Sequence, residues 1–246
     1  MSIKNIVFFI IYISLAVLSV ACTAQTSENE TNGNIELSSE VMTKESQDAI
    51  TPEEILQGLK DGNERYRNND LTPRDYPAQV RNTADGQYPE AVVIACIDSR
   101  VPVENIFDKG VGDIFVARVA GNFVNEDILG STEFATAVAG SKVVVVMGHE
   151  HCGAVKSAID DVEMGNITAL LSNIKPAVER AEESYEGDET SSNDEFVTEV
   201  AHTNVRYTIE QMRERSSIIS ELERNGEVVI AGAFYDLDTG EVIFLD

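Results

Sequence analysis

The sequence predicts an α/β fold: a mainly parallel central sheet with an antiparallel edge hairpin, flanked by helices. Three observations lead there. Two continuous apolar, β-branched runs, Ala91–Ala95 and Val143–Met147, read as strands covered on both faces, because a half-exposed strand would alternate. Helical spacing recurs between the strand-like segments. Near the C-terminus, the turn residues Asp236 to Gly240 separate two further strand-like stretches, which suits a hairpin.

Taken in order, Thr51-Pro52-Glu53-Glu54 combines an N-cap threonine, a proline in the first turn and a capping-box glutamate. A helix is therefore expected from there to about Asn68. A loop through Pro73, Pro77 and Pro89 follows, then a first strand over Ala91–Cys96 and a second over Ile114–Val119. Apolar spacing from Glu126 to Ala139 predicts a helix before the third strand, Val143–Gly148. Further helices are expected over Gly153–Asp160, Ile167–Glu183 and Glu195–Arg224, with Asn225-Gly226 as the last stop. Val228–Tyr235 and Glu241–Leu245 form the hairpin strands. Gly110-Val111-Gly112 reads as a turn, since it neither follows a strand nor opens a helix as a dinucleotide loop does.

At 246 residues and 43% hydrophobic, the chain suffices for one domain with extensions. Its 43 acidic against 18 basic residues give a formal charge of −25. That charge excludes electrostatic binding to nucleic acid or to anionic lipid headgroups. Nine carboxylates between Glu179 and Glu199 meet a single arginine, and this stretch reads as a solvated excursion.

The first residues follow another logic. Lys4 precedes an apolar run of 13 residues, Ile6 to Leu18, too short for a comfortable membrane span. With Ser19-Val20-Ala21-Cys22 behind it, the segment 1–22 reads as an export signal ending in a lipoprotein-type processing site, Cys22 being the lipidated residue. Ser19 stands where a branched aliphatic residue is more usual in such sites. Residues 23–47 are then a flexible polar tether and 48–246 the catalytic domain, held in the periplasm on a bacterial membrane by the lipid alone.

Two short motifs sit at the ends of the apolar runs. Cys96-Ile97-Asp98-Ser99-Arg100 follows the first, and His149-Glu150-His151-Cys152-Gly153 follows the third strand. Chemistry in open α/β sheets collects at such strand ends. Cys96, His149 and Cys152 are ligands of the kind Zn²⁺ prefers, and three protein ligands leave one tetrahedral position for water. The competing reading, a Cys96–Cys152 disulfide, is permitted in an exported chain but accounts for neither the histidine nor the charged neighbours. Asp98 and Arg100 lie two and four residues past Cys96, on its side of an extended stretch. A carboxylate there can accept a hydrogen bond from metal-activated water, and a bidentate arginine would keep it ionised and away from the metal. Taken alone, an Asp-x-Arg is as readily a surface ion pair.

These motifs, with Gln87-Tyr88-Pro89, Phe115 to Asn122, Gly148 to Ala154 and Gly232 to Gly240 in the same order, resemble the β-class carbonic anhydrases over roughly residues 51–246. The resemblance implies one Zn²⁺ per subunit on Cys96, His149 and Cys152, and an Asp98–Arg100 dyad. It implies reversible hydration of carbon dioxide to bicarbonate and a proton, with metal-activated water as nucleophile. It further implies a small substrate pocket shaped by Gln87, Phe115, Ala120 and Phe134, with Gly153 adjoining through its backbone, and a homodimer or higher even oligomer with that pocket at the interface. His151 beside the ligands is a candidate proton shuttle or an exposed loop residue, and His202 reads as solvated or structural. Val119 departs from the asparagine many members carry. The chain also has no tryptophan, which the bicarbonate-inhibited members use in a non-catalytic pocket, so an open site with Asp98 on Arg100 is expected. Two other readings stand beside hydration: hydrolysis of carbonyl sulfide or carbon disulfide on the same scaffold, and a non-catalytic zinc lipoprotein.

Overall fold

The computed structural model of the chain describes residues 36–245. The expected export segment 1–22, with Cys22, and residues 23–35 of the expected tether lie outside the described residues. Five strands, β1 (Ala91–Ala95), β2 (Ile114–Arg118), β3 (Val143–His149), β4 (Val229–Tyr235) and β5 (Val242–Leu245), form one sheet in the order β2-β1-β3-β4-β5. The first four are parallel and β5 runs antiparallel to β4. Around them lie α1 (Lys44–Ala49), α2 (Pro52–Arg67), α3 (Tyr76–Asn82), α4 (Val103–Ile106) and α5 (Glu126–Glu133). After β3 come α6 (Gly153–Ile159), α7 (Gly165–Leu171), α8 (Lys175–Glu182), α9 (Asp194–Arg215) and α10 (Ser217–Arg224).

The apolar runs become strands because both of their faces are covered. Ala91, Val93, Ala95, Val143, Val145 and Met147 pack with Ile55 and Leu59 of α2 and Ile106 of α4. The alternate residues Val92, Ile94, Val144 and Val146 pack on the opposite face with Leu129 of α5 and Val205, Ile209 and Met212 of α9. A third cluster, under the ends of β1 and β3, joins Cys96 and Cys152 to Val155, Ile174, Val178, Phe196 and Val200. The chain leaves β1 towards β2 and then crosses back to β3 on the other side, so the carboxyl ends of β1 and β3 flank a switch point, where open sheets form their sites.

The helix over 52–68 forms as expected, with Thr51 and Glu54 closing the capping box. Elsewhere the elements differ from expectation for local reasons. The proline-containing loop after Pro73 holds α3, capped by the Asp75 carboxylate on the Ala78 N–H at 3.0 Å, because Pro77 falls in the first turn where no donor is needed. The expected helix to Ala139 stops at Glu133 and widens into a π-turn over Phe134–Val138, where the Ala139 N–H reaches the Phe134 carbonyl at 2.9 Å. The helix expected over 167–183 is two helices. Pro176 lacks the amide that a continuous helix would need and sits in the first turn of α8. The helix expected over 195–224 breaks at Ser216, whose hydroxyl accepts the Ile219 N–H at 3.2 Å and so starts α10.

Residues 36–47, inside the expected 23–47 tether, are built into the body. Ser38 donates its N–H to the Pro73 carbonyl at 2.8 Å and accepts from Asp75 at 2.9 Å. Gln47, in α1, is buried and its amide donates to the carbonyls of Pro89 and Ala139, both at 2.9 Å. No helix among the described residues is long and apolar enough to cross a membrane.

Candidate metal centre

Cys96 follows β1 directly and His149 ends β3. The register that sets Ala95 beside Met147 brings both residues out of the sheet at one edge. The chain then turns through His151, whose φ of +49° is left-handed, and delivers Cys152 to the position before α6. The two sulfurs are 4.0 Å apart, and the three ligand atoms of Cys96, His149 and Cys152 lie within 4.8 Å of one another, all buried. Neither cysteine is in a disulfide, so the competing disulfide reading does not describe this structure. Gly121 presses against the pair. Its N–H points to Cys96 Sγ at 3.4 Å, its φ is +85°, and a Cβ there would come within 2.3 Å of the Ile174 side chain.

These groups fit a zinc ion. Tetrahedral zinc with Zn–S distances of about 2.3 Å places two sulfurs about 3.8 Å apart, close to what is found. His149 Nδ1 lies 2.8 Å from the Glu150 carbonyl; a carbonyl only accepts, so Nδ1 carries the proton and Nε2 offers its lone pair. Nε2 is fully buried with no hydrogen-bond partner among the described residues, an uncompensated acceptor that a metal would satisfy. The Cys152 thiol donating to Cys96, with the Gly121 N–H assisting, lowers the Cys96 pKa against the opposing effect of burial. That same hydrogen bond, and then burial, push Cys152 up. Ligation by both sulfurs would displace their protons.

Asp98 and Arg100 meet as expected, by a different backbone route. In place of an extended stretch, the Arg100 N–H closes on Asp98 Oδ1 at 2.9 Å and the Val101 N–H on the Asp98 carbonyl at 3.1 Å, a tight turn. The guanidinium then grips the carboxylate with both arms, Nε to Oδ1 at 3.0 Å and Nη2 to Oδ2 at 2.8 Å. This hydrogen bonding from Arg100 outweighs burial and holds the Asp98 carboxyl down to about 2. Asp98 Oδ2 stands 3.9 Å from His149 Nε2, beside the place a metal would take. Arg118, at the end of β2, fixes the turn by donating to the carbonyls of Cys96 at 2.8 Å and Asp98 at 2.6 Å. Sequence reasoning missed both Arg118 and Gly121, because each acts on Cys96 from more than 20 residues away, Arg118 on its carbonyl and Gly121 on its sulfur.

The structure does not gather the expected pocket residues into one cavity of the single chain. Phe115 and Phe134 meet edge to face at 6.5 Å in an open groove of about 640 Å³ between β2 and α5, whose lining contains none of the metal-ligating residues. Gln87 is exposed on the loop after α3, Ala120 is half-buried before Gly121, and Gly153 is the exposed first residue of α6. His151 is exposed and lies 3.2 Å from Asp194 at the start of α9. His202 packs edge to face on Phe234 at 4.3 Å, a structural placement, and burial followed by the Arg206 charge lowers its pKa.

A family model described as carbonic anhydrase matches residues 91–242. Carbonic anhydrase 2 of Mycobacterium tuberculosis is 36% identical over 199 residues, covering 79% of this chain and 93% of that protein. The carbonic anhydrase of Mycolicibacterium smegmatis is 36% identical over 197 residues, 78% of this chain and 92% of its own. Among solved structures, the β-carbonic anhydrase CafA of Aspergillus fumigatus superposes with a TM-score of 0.62 at 28% identity, covering 70% of this chain and 82% of that one. One of two tetrameric β-carbonic anhydrases from Sordaria macrospora superposes with a TM-score of 0.61 at 27% identity, covering 69% and 86%.

Proposed function

The chain belongs to the β-class carbonic anhydrases, and from that membership we propose that Cys96, His149 and Cys152 hold one Zn²⁺ and that the reaction is the reversible hydration of carbon dioxide to bicarbonate and a proton. The observation that carries this reading is the buried, unpartnered Nε2 of His149 within 4.8 Å of two free cysteine sulfurs. Zinc, when bound, supplies Lewis acidity that lowers the pKa of water from 15.7 towards about 7, less far here because two thiolates donate more charge than imidazoles. The protein's own part is orientation. Asp98, kept ionised by Arg100, presents Oδ2 as acceptor for a proton of the attacking water, fixing which lone pair faces the substrate. Arg118 holds the Cys96–Asp98 turn against rearrangement.

Gln87, Phe115, Ala120 and Phe134, with Gly153, form the substrate pocket in this reading, completed where a second copy covers the β2 edge. Supporting it, Phe134 and Val138 are 52% and 71% exposed on that side, and among the described residues β2 has an unpaired edge. The proposal extends to export by segment 1–22, lipidation at Cys22 and a periplasmic location, supported by the apolar run ahead of Ser19-Val20-Ala21-Cys22. Stopped-flow hydration by the zinc-loaded protein, run beside carbonyl sulfide and carbon disulfide hydrolysis, tests the function. Carbon dioxide turnover far above the buffer rate is expected. Turnover of the sulfur substrates alone, or of none with zinc bound, would reject it.

A further inference from the structure

We propose that Glu150 is a positioning residue for the metal centre, its side chain locking the peptide that aims His149; this inference rests on the zinc reading above. Glu150 uses three groups at once. Its carbonyl accepts the His149 Nδ1–H at 2.8 Å, its N–H donates to the Tyr235 carbonyl at 3.1 Å, and its Oε2 accepts the Leu237 N–H at 2.9 Å. The last two contacts straddle Asp236, at the end of β4. Tied to the hairpin by its N–H on one side and its carboxylate on the other, Glu150 holds its Cα in place and so restrains the 150–151 peptide, whose carbonyl meets the imidazole.

The hairpin is itself a firm mount. The buried Asn63 of α2 donates to the Gly240 carbonyl at 2.8 Å and accepts the Val242 N–H at 2.9 Å. Tyr66 and Tyr235 pair through their hydroxyls at 3.3 Å, and Arg67 pairs with Glu241 at 3.0 Å. A chain of hydrogen bonds thus runs from α2 through the β4–β5 hairpin and Glu150 to the ring of His149. The Glu150 carboxylate pairs with no cation among the described residues; its partner is a backbone N–H. What the position needs is an acceptor at the right reach, and the charge is incidental. Partners of this kind, one step behind a ligand, commonly govern metal affinity by 10- to 100-fold.

The test is zinc release from the purified holoenzyme into a chromophoric chelator, with zinc stoichiometry measured for every protein. Glu150→Gln keeps an acceptor of the same reach and is expected to release zinc at the wild-type rate. Glu150→Asp keeps the charge but is one methylene short, and should release zinc about 10-fold faster or more. Arg213→Ala, which breaks an exposed ion pair with Glu223 outside the hairpin, should leave release unchanged. Wild-type release from Glu150→Asp, equally fast release from Glu150→Gln, or Arg213→Ala matching Glu150→Asp would each overturn the inference. A wild-type protein that binds no zinc would instead remove the metal reading, and this one with it.

Discussion

The Asp98 carboxylate bonds to Arg100 and not to the sulfurs, and in the proposed mechanism it orients the attacking water. Held by both arms of Arg100 and by the Arg100 N–H, it is an ionised acceptor fixed beside the metal position. Asp98→Asn should keep zinc at wild-type stoichiometry while lowering kcat by about 100-fold or more, since the amide loses the charge and half of its acceptor capacity. Metal analysis beside stopped-flow assays checks both halves. The pH dependence has a definite sign. Asp98's carboxyl titrates near 2, below its ordinary 3.8, so the Arg100 pair contributes fully above about pH 4 and is lost as pH falls towards 2. Asp98 therefore sets no limb of a wild-type profile above about pH 5. In Arg100→Ala, burial loses its main opponent, the Asp98 pKa rises, and the acid limb of kcat/KM moves to higher pH. The ligands and this dyad were legible in the sequence because each motif abuts a strand. Arg118 and Gly121 were not, because their partners, two carbonyls for Arg118 and the Cys96 sulfur for Gly121, are brought near only by folding.

At the scale of elements, the sequence was most readable where burial is uniform. The runs in β1 and β3 are covered on both faces, and the capping box of α2 fixed its start within a residue. Helix breaks were less readable. Pro77 and Pro176 both sit in first turns, and a proline in a first turn carries the same letter as one that ends a helix. Residues 36–47 read as tether because they are polar, but polarity did not reveal that Gln47 is spent on two main-chain carbonyls. The loop that Ser38 bonds to, through Pro73 and Asp75, is itself fastened by a buried carboxylate. Asp108, wholly buried, accepts from Arg65 at 2.6 Å, from Arg74 at 2.5 Å and from the Thr72 hydroxyl at 2.7 Å. Asp108→Ala should cost about 3 kcal/mol, the scale for breaking a buried pair, as read from urea unfolding. Zinc release should be unchanged, since the cluster lies away from the ligands.

Among the described residues, the β2 side of the sheet presents an apolar margin. Phe134 and Val138 of the π-turn are exposed there beside the half-buried Phe115, and the proposed second copy would cover them. Val138→Glu changes a side chain that is 71% exposed, so the fold should survive. Sedimentation should show a monomer, and hydration activity should fall with it because the proposed pocket lies at that margin.

The central claim is that three residues from two neighbouring strand ends hold zinc and leave one place for water. Zinc K-edge X-ray absorption on the purified protein at neutral pH tests it most directly. Two sulfur scatterers at about 2.3 Å with light atoms at about 2.0–2.1 Å are expected, and Cys152→Ser should remove one sulfur or the metal itself. A spectrum with fewer than two sulfurs, or one unchanged in Cys152→Ser, would contradict the account.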